Sequence, residues 1–184
     1  MKKNKEKAIF ILIVILLLIS RCYDFITTYL YTPDLLNEAN PLVVYLGFGW
    51  THLIIITAVL LVGVIYCFYL DYFKRDKIIT ENKLSFKEFV PYSYFGRDEK
   101  IIAIFYKTPK LKPFLRWLGY TITYTLIVVG FMIGTSTTFL IISEKYKGIY
   151  NAKVFIATMV LIALFFAYNF FRKEYKYYKE TFGK

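Results

Sequence analysis

The sequence has few of the residues from which common catalytic, metal and cross-linked sites are built. Its 184 residues include two cysteines and one histidine. A disulfide-rich scaffold is excluded, because small scaffolds of that kind rely on several cysteine pairs. The chain also lacks a His-x-x-x-His motif, an Asp-rich diphosphate motif and the Gly-x-Ser-Gly sequence of intramembrane serine proteases. It therefore carries no recognised catalytic motif.

Acidic residues are scarce beside basic ones: 13 Asp or Glu stand against 24 Lys or Arg, which gives a net charge of +11. Charged residues make up only 20% of the chain, whereas 58% is hydrophobic and 21% is aromatic. The apolar residues are gathered in four long blocks, and the charges lie mainly between them. This distribution excludes a disordered chain and an ordinary soluble enzyme, and it indicates a small polytopic membrane protein.

Each apolar block is long enough to cross a bilayer as a helix, which takes about 20 residues for about 30 Å of hydrocarbon. The blocks cover about residues 8–31, 42–70, 115–142 and 152–171. We therefore predict an all-α fold, a four-transmembrane-helix bundle that forms one integral membrane domain over residues 1–184. A basic loop at 71–116 joins the second and third spans. Within it, residues 78–79 and 101–106 are expected to form short strands or interfacial segments.

Lys and Arg are distributed unevenly around the apolar blocks. Four precede the first block, none lies in the first loop, eleven lie in the middle loop, three in the last loop and five in the tail. Cytoplasmic segments carry an excess of basic residues, so both termini and the middle loop are predicted to be cytoplasmic. The expected location is the cell membrane, specifically the inner (cytoplasmic) membrane of a prokaryote. Anionic lipid headgroups are the expected partner of this charge, and no nucleic-acid partner is expected.

Polar and charged residues interrupt the second half of the first block. Arg21 and Asp24 are three residues apart, so they share one helix face and can form an ion pair. A charge inside a bilayer costs at least a few kcal/mol, so such residues usually face a protein interior or a water-filled cavity. A stripe at helical spacing comprises Ser20, Asp24, Thr27 or Thr28, and Tyr31. We expect this stripe to face the bundle interior or a water-filled cleft.

Three further polar residues lie between the first two blocks or early in the second. Asn40-Pro41 has the pattern of an N-cap followed by the first residue of a helix, whereas Glu38 has no neighbouring cation in its loop. His52 would lie about 16 Å along a helix that begins at Pro41. In an antiparallel pair of helices this is close to the depth of Asp24, so the two could share a site. Alternatively, a neighbouring Trp50 marks the membrane interface, and His52 is interfacial.

The polar residues of the first span and the first loop form a pattern that resembles a known family. Asp24-x-x-Thr27-Thr28 in the first span, followed by Glu38-x-Asn40-Pro41, resembles the motifs of a family of small uncharacterised prokaryotic membrane proteins. The resemblance covers about twenty residues. It implies a small helical membrane fold and a candidate site that includes Asp24, Thr28, Glu38 and Asn40, and it implies no particular activity or cofactor.

The third span contains two glycines at the spacing that brings membrane helices close together. Gly130 and Gly134 form a GxxxG pair, whose small residues allow a close approach of two backbones. Spacing alone does not decide whether the partner helix belongs to the same chain or to a second copy. We therefore expect Gly130 and Gly134 at a helix–helix contact, either within the chain or in a homodimer.

Three functional hypotheses fit the polar residues. The first is an outward-facing site that binds or transports a cation, a small polar ligand or a lipid headgroup, because intramembrane carboxylates often mark such routes. This ligand site would contain Arg21, Asp24, Thr28, Glu38, Asn40 and His52.

The second hypothesis is a membrane enzyme that acts on a lipid-linked substrate. Asp24 or His52 would be its general base, Arg21 a phosphate clamp, and Glu38 with Asn40 a metal site. The third is a structural or accessory subunit in which Arg21 and Asp24 form a buried pair that determines helix register. The sequence assigns no cofactor, bound metal or catalytic residue.

Overall fold

The computed structural model describes residues 2–35, 41–75, 83–97, 99–100, 102–103 and 106–182. The regular elements in these residues are helical. They are α1 (Lys2–Tyr31), α2 (Pro41–Leu46), α3 (Trp50–Phe73), α4 (Phe86–Phe95), α5 (Leu111–Ile142), α6 (Glu144–Ile149) and α7 (Ala152–Thr181). Four of them, α1, α3, α5 and α7, are long and apolar enough to cross a membrane. The predicted all-α, multi-pass membrane architecture is therefore confirmed.

The helix α5 lies at the centre of the bundle and makes the main contacts with α1, α3 and α7. Its buried positions are largely small or hydroxylated: Gly119, Thr121, Thr123, Gly130, Gly134, Ser136 and Thr137. Small residues allow neighbouring helices to approach closely in a membrane, where burial of apolar surface gives no driving force between helices. Many large apolar side chains on α1, α3 and α7 are exposed on the outside of the bundle, as expected for surfaces that face lipid.

The two largest differences from the predicted span boundaries are at the start of the second span and the end of the fourth. The second span starts at Trp50 and not near Leu42, because the chain leaves helical structure at residues 47–49 after the short helix α2. Gly47 has a positive φ of 65°, a conformation that glycine adopts without steric cost. The fourth helix continues to Thr181, ten residues beyond the predicted end, because the polar residues there pack against other helices.

The basic loop contains a helix that the prediction of short strands or interfacial segments did not include. A capping box starts α4, in which Ser85 and Glu88 exchange hydrogen bonds. Hydrogen bonds that the Ser85 hydroxyl and backbone N–H donate to the Glu88 carboxylate lower its pKa. Residues 102–103 form a short 3₁₀ turn and not a strand, whereas residues 78–79 lie outside the described residues.

Aromatic contacts define which helix ends lie together. Phe10, near the start of α1, stacks on Phe68 near the end of α3 at 5.3 Å between ring centroids. In α4, Tyr94 contacts Trp117 of α5 and Phe171 of α7. The start of α1, the end of α3, α4, the start of α5 and the end of α7 therefore form one end of the bundle, which we call the basic end. The opposite end, with α2 and α6, is called the distal end.

Candidate functional site

Arg21 and Asp24 form the predicted ion pair inside α1. Arg21 Nη1 lies 3.2 Å from Asp24 Oδ2, and the two side chains are 13% and 16% exposed. Arg21 Nη2 also donates a hydrogen bond of 3.2 Å to the carbonyl oxygen of Leu126 in α5. Backbone carbonyls and a neighbouring carboxylate are the partners that stabilise a charge within a membrane. The pair therefore lies between α1 and the central helix, with each charge partly compensated.

The two glycines of the GxxxG pair make room for this part of α1. A Cβ atom added at Gly130 would lie 2.2 Å from Arg21 Nη2, and one at Gly134 would lie 2.5 Å from Tyr23 Cδ1. Tyr23 Oη also lies 3.1 Å from Thr138 Oγ1, one turn further along α5. The predicted close contact at the glycines is confirmed. It forms within one chain, between α5 and α1, and a homodimer stays a prediction.

We expect Gly134→Leu to lower the free energy of unfolding by about 1–3 kcal/mol, the usual range for overfilling a packed contact. The added side chain would enter the space of the Tyr23 ring, which must rotate and break its contact with Thr138. Unfolding of the purified protein in detergent measures the effect. Gly148→Leu is the control, because a Cβ atom added there would meet no packed neighbour within 4 Å. Equal stability of the two variants would contradict the packing at Gly134.

The predicted polar stripe of α1 divides between two environments. Ser20 is fully buried and Thr27 is 6% exposed, and their hydroxyls donate to carbonyl oxygens of their own helix, Leu17 and Tyr23. Thr28 Oγ1 lies 3.5 Å from Asp24 Oδ1 and so extends the charged pair by one turn. Tyr31 was expected in the interior but is 38% exposed. Ser20 reaches α5, because its hydroxyl also lies 3.4 Å from the carbonyl oxygen of Leu126.

His52 lies in the first turn of α3 at the distal end. It is exposed, and its ring stacks on Phe48 at 5.3 Å between centroids. Trp50 Nε1 donates a hydrogen bond of 2.8 Å to the carbonyl oxygen of Pro33. His52 therefore lies near the end of its span, since α3 begins only two residues earlier. This agrees with the alternative in which His52 is an interfacial residue. Glu38 and Asn40, the other predicted site residues near this end, lie outside the described residues.

An apolar groove runs between α1 and α3 and opens towards the side of the bundle. One part has a volume of about 290 Å³ and is lined by Phe25, Ile26, Tyr29, Leu30, Trp50 and Ile54. The adjoining part, about 330 Å³, is lined by Leu18, Arg21, Cys22, Phe25, Ile26, Ile54, Thr57, Ala58 and Leu61. The two parts share Phe25, Ile26 and Ile54, so they form one continuous lateral groove. Arg21 belongs both to the wall of the groove and to the ion pair.

A second group of charges, which the sequence analysis missed, lies at the basic end. Arg116 Nη2 is 2.8 Å from Glu174 Oε2 and 3.6 Å from Asp71 Oδ1, and all three side chains are at most 6% exposed. Lys173 Nζ lies 2.7 Å from Asp71 Oδ2, and Arg75 Nε donates to Glu174 Oε1 at 2.8 Å. We call these five residues the charge cluster. It joins the ends of α3 and α7 to the start of α5.

The charge cluster had only a weak signal in the sequence. Asp71 and Glu174 lie just outside predicted apolar blocks and Arg116 lies at the very start of one, where charged residues usually face water. Their pairing became visible only with the helices in place, because each of the three long helices that carry them continues beyond its apolar block. The carboxylates in particular were a clue, since the positive-inside pattern explains Lys and Arg but not Asp and Glu.

Comparison with protein-family models, with curated proteins and with solved structures found no match to this chain. The resemblance based on Asp24 and Glu38 therefore stays a prediction. Within the described part of the chain, no three His, Cys, Asp or Glu side chains come together as a metal site.

Proposed function

We propose that the protein spans the cytoplasmic membrane of a prokaryote with both termini in the cytoplasm. The start of α1, the end of α7 and α4 share the basic end of the bundle. This end also carries most of the Lys and Arg residues. An excess of these residues on the cytoplasmic side is the general signal for orientation. The basic end would then face the cytoplasm, and the distal end with His52 would face the outside.

Single cysteines at the two ends test this orientation. In a background with Cys22→Ala and Cys67→Ala, the exposed residues Thr108 at the basic end and Gly148 at the distal end are each replaced by cysteine. A membrane-impermeant maleimide added to intact cells should label the Gly148→Cys protein and not the Thr108→Cys protein. Both should react after the membrane is permeabilised. External labelling at Thr108 would contradict the proposed orientation.

We further propose that the protein binds an amphiphilic, lipid-like ligand from the membrane. The acyl chain of this ligand would lie in the lateral groove, and its polar headgroup would reach Arg21 and Asp24. One observation carries the proposal: the apolar groove and the charged pair meet at Arg21. A free cation would use the carboxylate alone, whereas an amphiphile uses both features.

The groove lies at the level of the bilayer where acyl chains are found. Its walls come from the apolar stretches of α1 and α3, from Leu30 near the distal end to Leu18 further inside. Lipid tails are as apolar as these walls, so contact with the groove alone gives little preference for one lipid over another. Any selectivity must therefore come from the polar residues beside the groove.

The polar residues beside the groove can recognise a headgroup that contains both donors and acceptors. Arg21 offers guanidinium donors for an anionic oxygen, and Asp24 offers acceptors for a hydroxyl or ammonium group. Thr28 adds a hydroxyl within 3.5 Å of the Asp24 carboxylate. Because Arg21 and Asp24 are both partly exposed, a ligand can reach them while their ion pair stays formed.

A photoreactive lipid tests binding in the groove. The full-length protein is placed in lipid nanodiscs with a phosphatidylethanolamine that carries a diazirine near the end of one acyl chain, and the cross-linked peptides are mapped. Labels should concentrate on the α1 and α3 residues of the groove. Ala58→Trp should remove most of this labelling by filling the groove, since Ala58 lines it. Ala157→Trp, at an exposed position on α7, should leave it unchanged. Even labelling around the bundle would contradict the proposal.

Substitution of the ion pair separates a binding role from a purely structural one. Asp24→Asn should destabilise the protein by about 2 kcal/mol, less than for a fully buried pair, because Arg21 loses its partner while staying partly exposed. Replacement of Arg21 and Asp24 together by Leu should restore stability, as measured by unfolding in detergent. If the pair binds the headgroup, this stable double variant should still lose labelling in the groove. Unchanged labelling would leave only the structural role.

A further inference from the structure

A basic pocket lies on α7, at the opposite end of the bundle from the lateral groove. It has a volume of about 670 Å³, and four cations line it: Arg172, Lys173, Lys176 and Lys179. The lining residues also include tyrosines, and none of the described residues that line it is acidic. We call it the α7 pocket. Its charge and size are complementary to an anion with an organic portion.

The sequence of α7 places tyrosines and cations alternately on one face. Tyr168, Arg172, Tyr175 and Lys179 follow one another at intervals of four, three and four residues, which is the spacing of one helix face. Arg172 Cζ lies 5.9 Å from the ring centroid of Tyr168, and Lys179 Nζ lies 4.6 Å from that of Tyr175. Cation–π contacts of this kind hold the charged groups along the pocket without neutralising them.

Lys173 is positioned by Asp71, which lies outside the pocket, and by Tyr120, which lines it. Its Nζ atom bonds to Asp71 Oδ2 at 2.7 Å and lies 4.3 Å from the ring centroid of Tyr120. The charge cluster to which it belongs contains three cations and two carboxylates, so one positive charge is left over after pairing. A bound anion would therefore balance this surplus positive charge and would not have to displace a carboxylate from its ion pair.

The α7 pocket lies at the depth in the membrane where lipid headgroups are found. The apolar part of α7, from Ala152 to Phe171, has the length of about 30 Å that crosses the hydrocarbon core. Arg172 to Lys179 covers about 10 Å more, which is the region just outside that core. The tyrosines of the pocket suit this boundary, because their rings are apolar and their hydroxyls are polar. The lipid surface is thus the closest source of an anion.

We propose that the α7 pocket binds the phosphate of an anionic phospholipid, with the glycerol portion of the lipid against the tyrosine rings. This site is separate from the lateral groove, and it would select anionic lipids. Bound there, the lipid would link α7 to the charge cluster and so stabilise the basic end of the bundle.

Native mass spectrometry of the full-length protein in detergent tests the site. The probes are dioleoylphosphatidylglycerol, dioleoylphosphatidylcholine and soluble glycerol 3-phosphate. We expect phosphatidylglycerol to bind about tenfold more tightly than phosphatidylcholine, since each nearby Lys or Arg favours an anionic headgroup. The triple variant Arg172→Gln, Lys176→Gln and Lys179→Gln should remove this preference. Lys173 is kept so that the charge cluster stays intact.

A second triple variant with Lys5→Gln, Lys7→Gln and Lys100→Gln is the matched control. It removes the same charge from exposed positions at the basic end and should keep the preference for phosphatidylglycerol.

Lys176→Glu alone provides an independent variant at one exposed position of the pocket, and it should also weaken binding of phosphatidylglycerol. The proposal is overturned if the two triple variants lose the preference equally, which would indicate diffuse charge. It is likewise overturned if wild-type protein binds both lipids equally, or if glycerol 3-phosphate binds as tightly as phosphatidylglycerol.

Discussion

Glu174→Gln should lower the free energy of unfolding by about 3–5 kcal/mol, the usual cost when one partner of a buried ion pair is removed. The Glu174 carboxylate is the 2.8 Å partner of Arg116 and also accepts from Arg75. Both Arg116 and Glu174 are almost fully buried. Without this carboxylate, Asp71 at 3.6 Å is the one acidic partner of Arg116 among the described residues, and the surplus positive charge of the cluster rises from one to two. Chemical unfolding in detergent measures the loss.

Two further variants test whether burial causes this effect. Glu144→Gln breaks the ion pair of Glu144 with Lys147, which has a separation of 2.6 Å, but Glu144 is 87% exposed. We expect a change of at most about 0.5 kcal/mol there, as for other surface pairs. Arg116→Met with Glu174→Met removes one charge of each sign and should recover most of the stability, because the pair of Lys173 with Asp71 remains. A similar small effect for Glu144→Gln and Glu174→Gln would contradict a buried cluster.

Gly119→Ala should destabilise the protein by about 3 kcal/mol, at the upper end of the usual range for overpacking. An added Cβ atom would lie 2.2 Å from the carbonyl carbon of Cys67 and 2.4 Å from the backbone nitrogen of Phe68. These are backbone atoms of α3, so no side chain can rotate away. The only relief is a separation of α3 from α5 along their contact. Thermal unfolding in detergent should show a large decrease in midpoint.

Gly63→Ala is the matched control for this prediction. Gly63 also lies inside a membrane-spanning helix, but no atom lies within 4 Å of its added Cβ. Alanine is favoured over glycine in a helix by up to about 1 kcal/mol, so this variant should be at least as stable as wild type. If Gly63→Ala and Gly119→Ala had the same effect, helix propensity and not the close backbone contact would explain both.

Local spacing was sufficient for several features of the candidate site. Arg21 and Asp24 are three residues apart, and their ion pair follows from the geometry of a single helix. The prediction that Gly130 and Gly134 lie at a helix contact needed only the GxxxG spacing. The capping box of Ser85 and Glu88 was also a local signal. It was not used in the prediction, which expected only short strands or interfacial segments in this loop, so α4 was missed.

Other features depend on residues that are far apart in the chain. The charge cluster joins Asp71, Arg116 and Glu174, and no local pattern relates these positions. The break before Trp50 was hidden because apolar residues continue from α2 into α3. Because of this break, Pro41 and His52 belong to different helices, whereas the depth estimate for His52 assumed one continuous helix; a site shared with Asp24 stays a prediction. Helix length can be read from hydropathy, but the point at which a helix ends also depends on backbone conformation.

The sequence by itself determined the membrane class and the four spans, because each helix must satisfy its backbone within lipid and needs a long apolar stretch to do so. It also determined the local pair of Arg21 and Asp24. Only the tertiary structure decided that α5 is the central helix, that its glycines pack within the chain and that the charge cluster forms at the basic end. The physical reason is that these contacts depend on shape and close packing between distant segments, whereas hydropathy records only the preference of each segment for lipid or water.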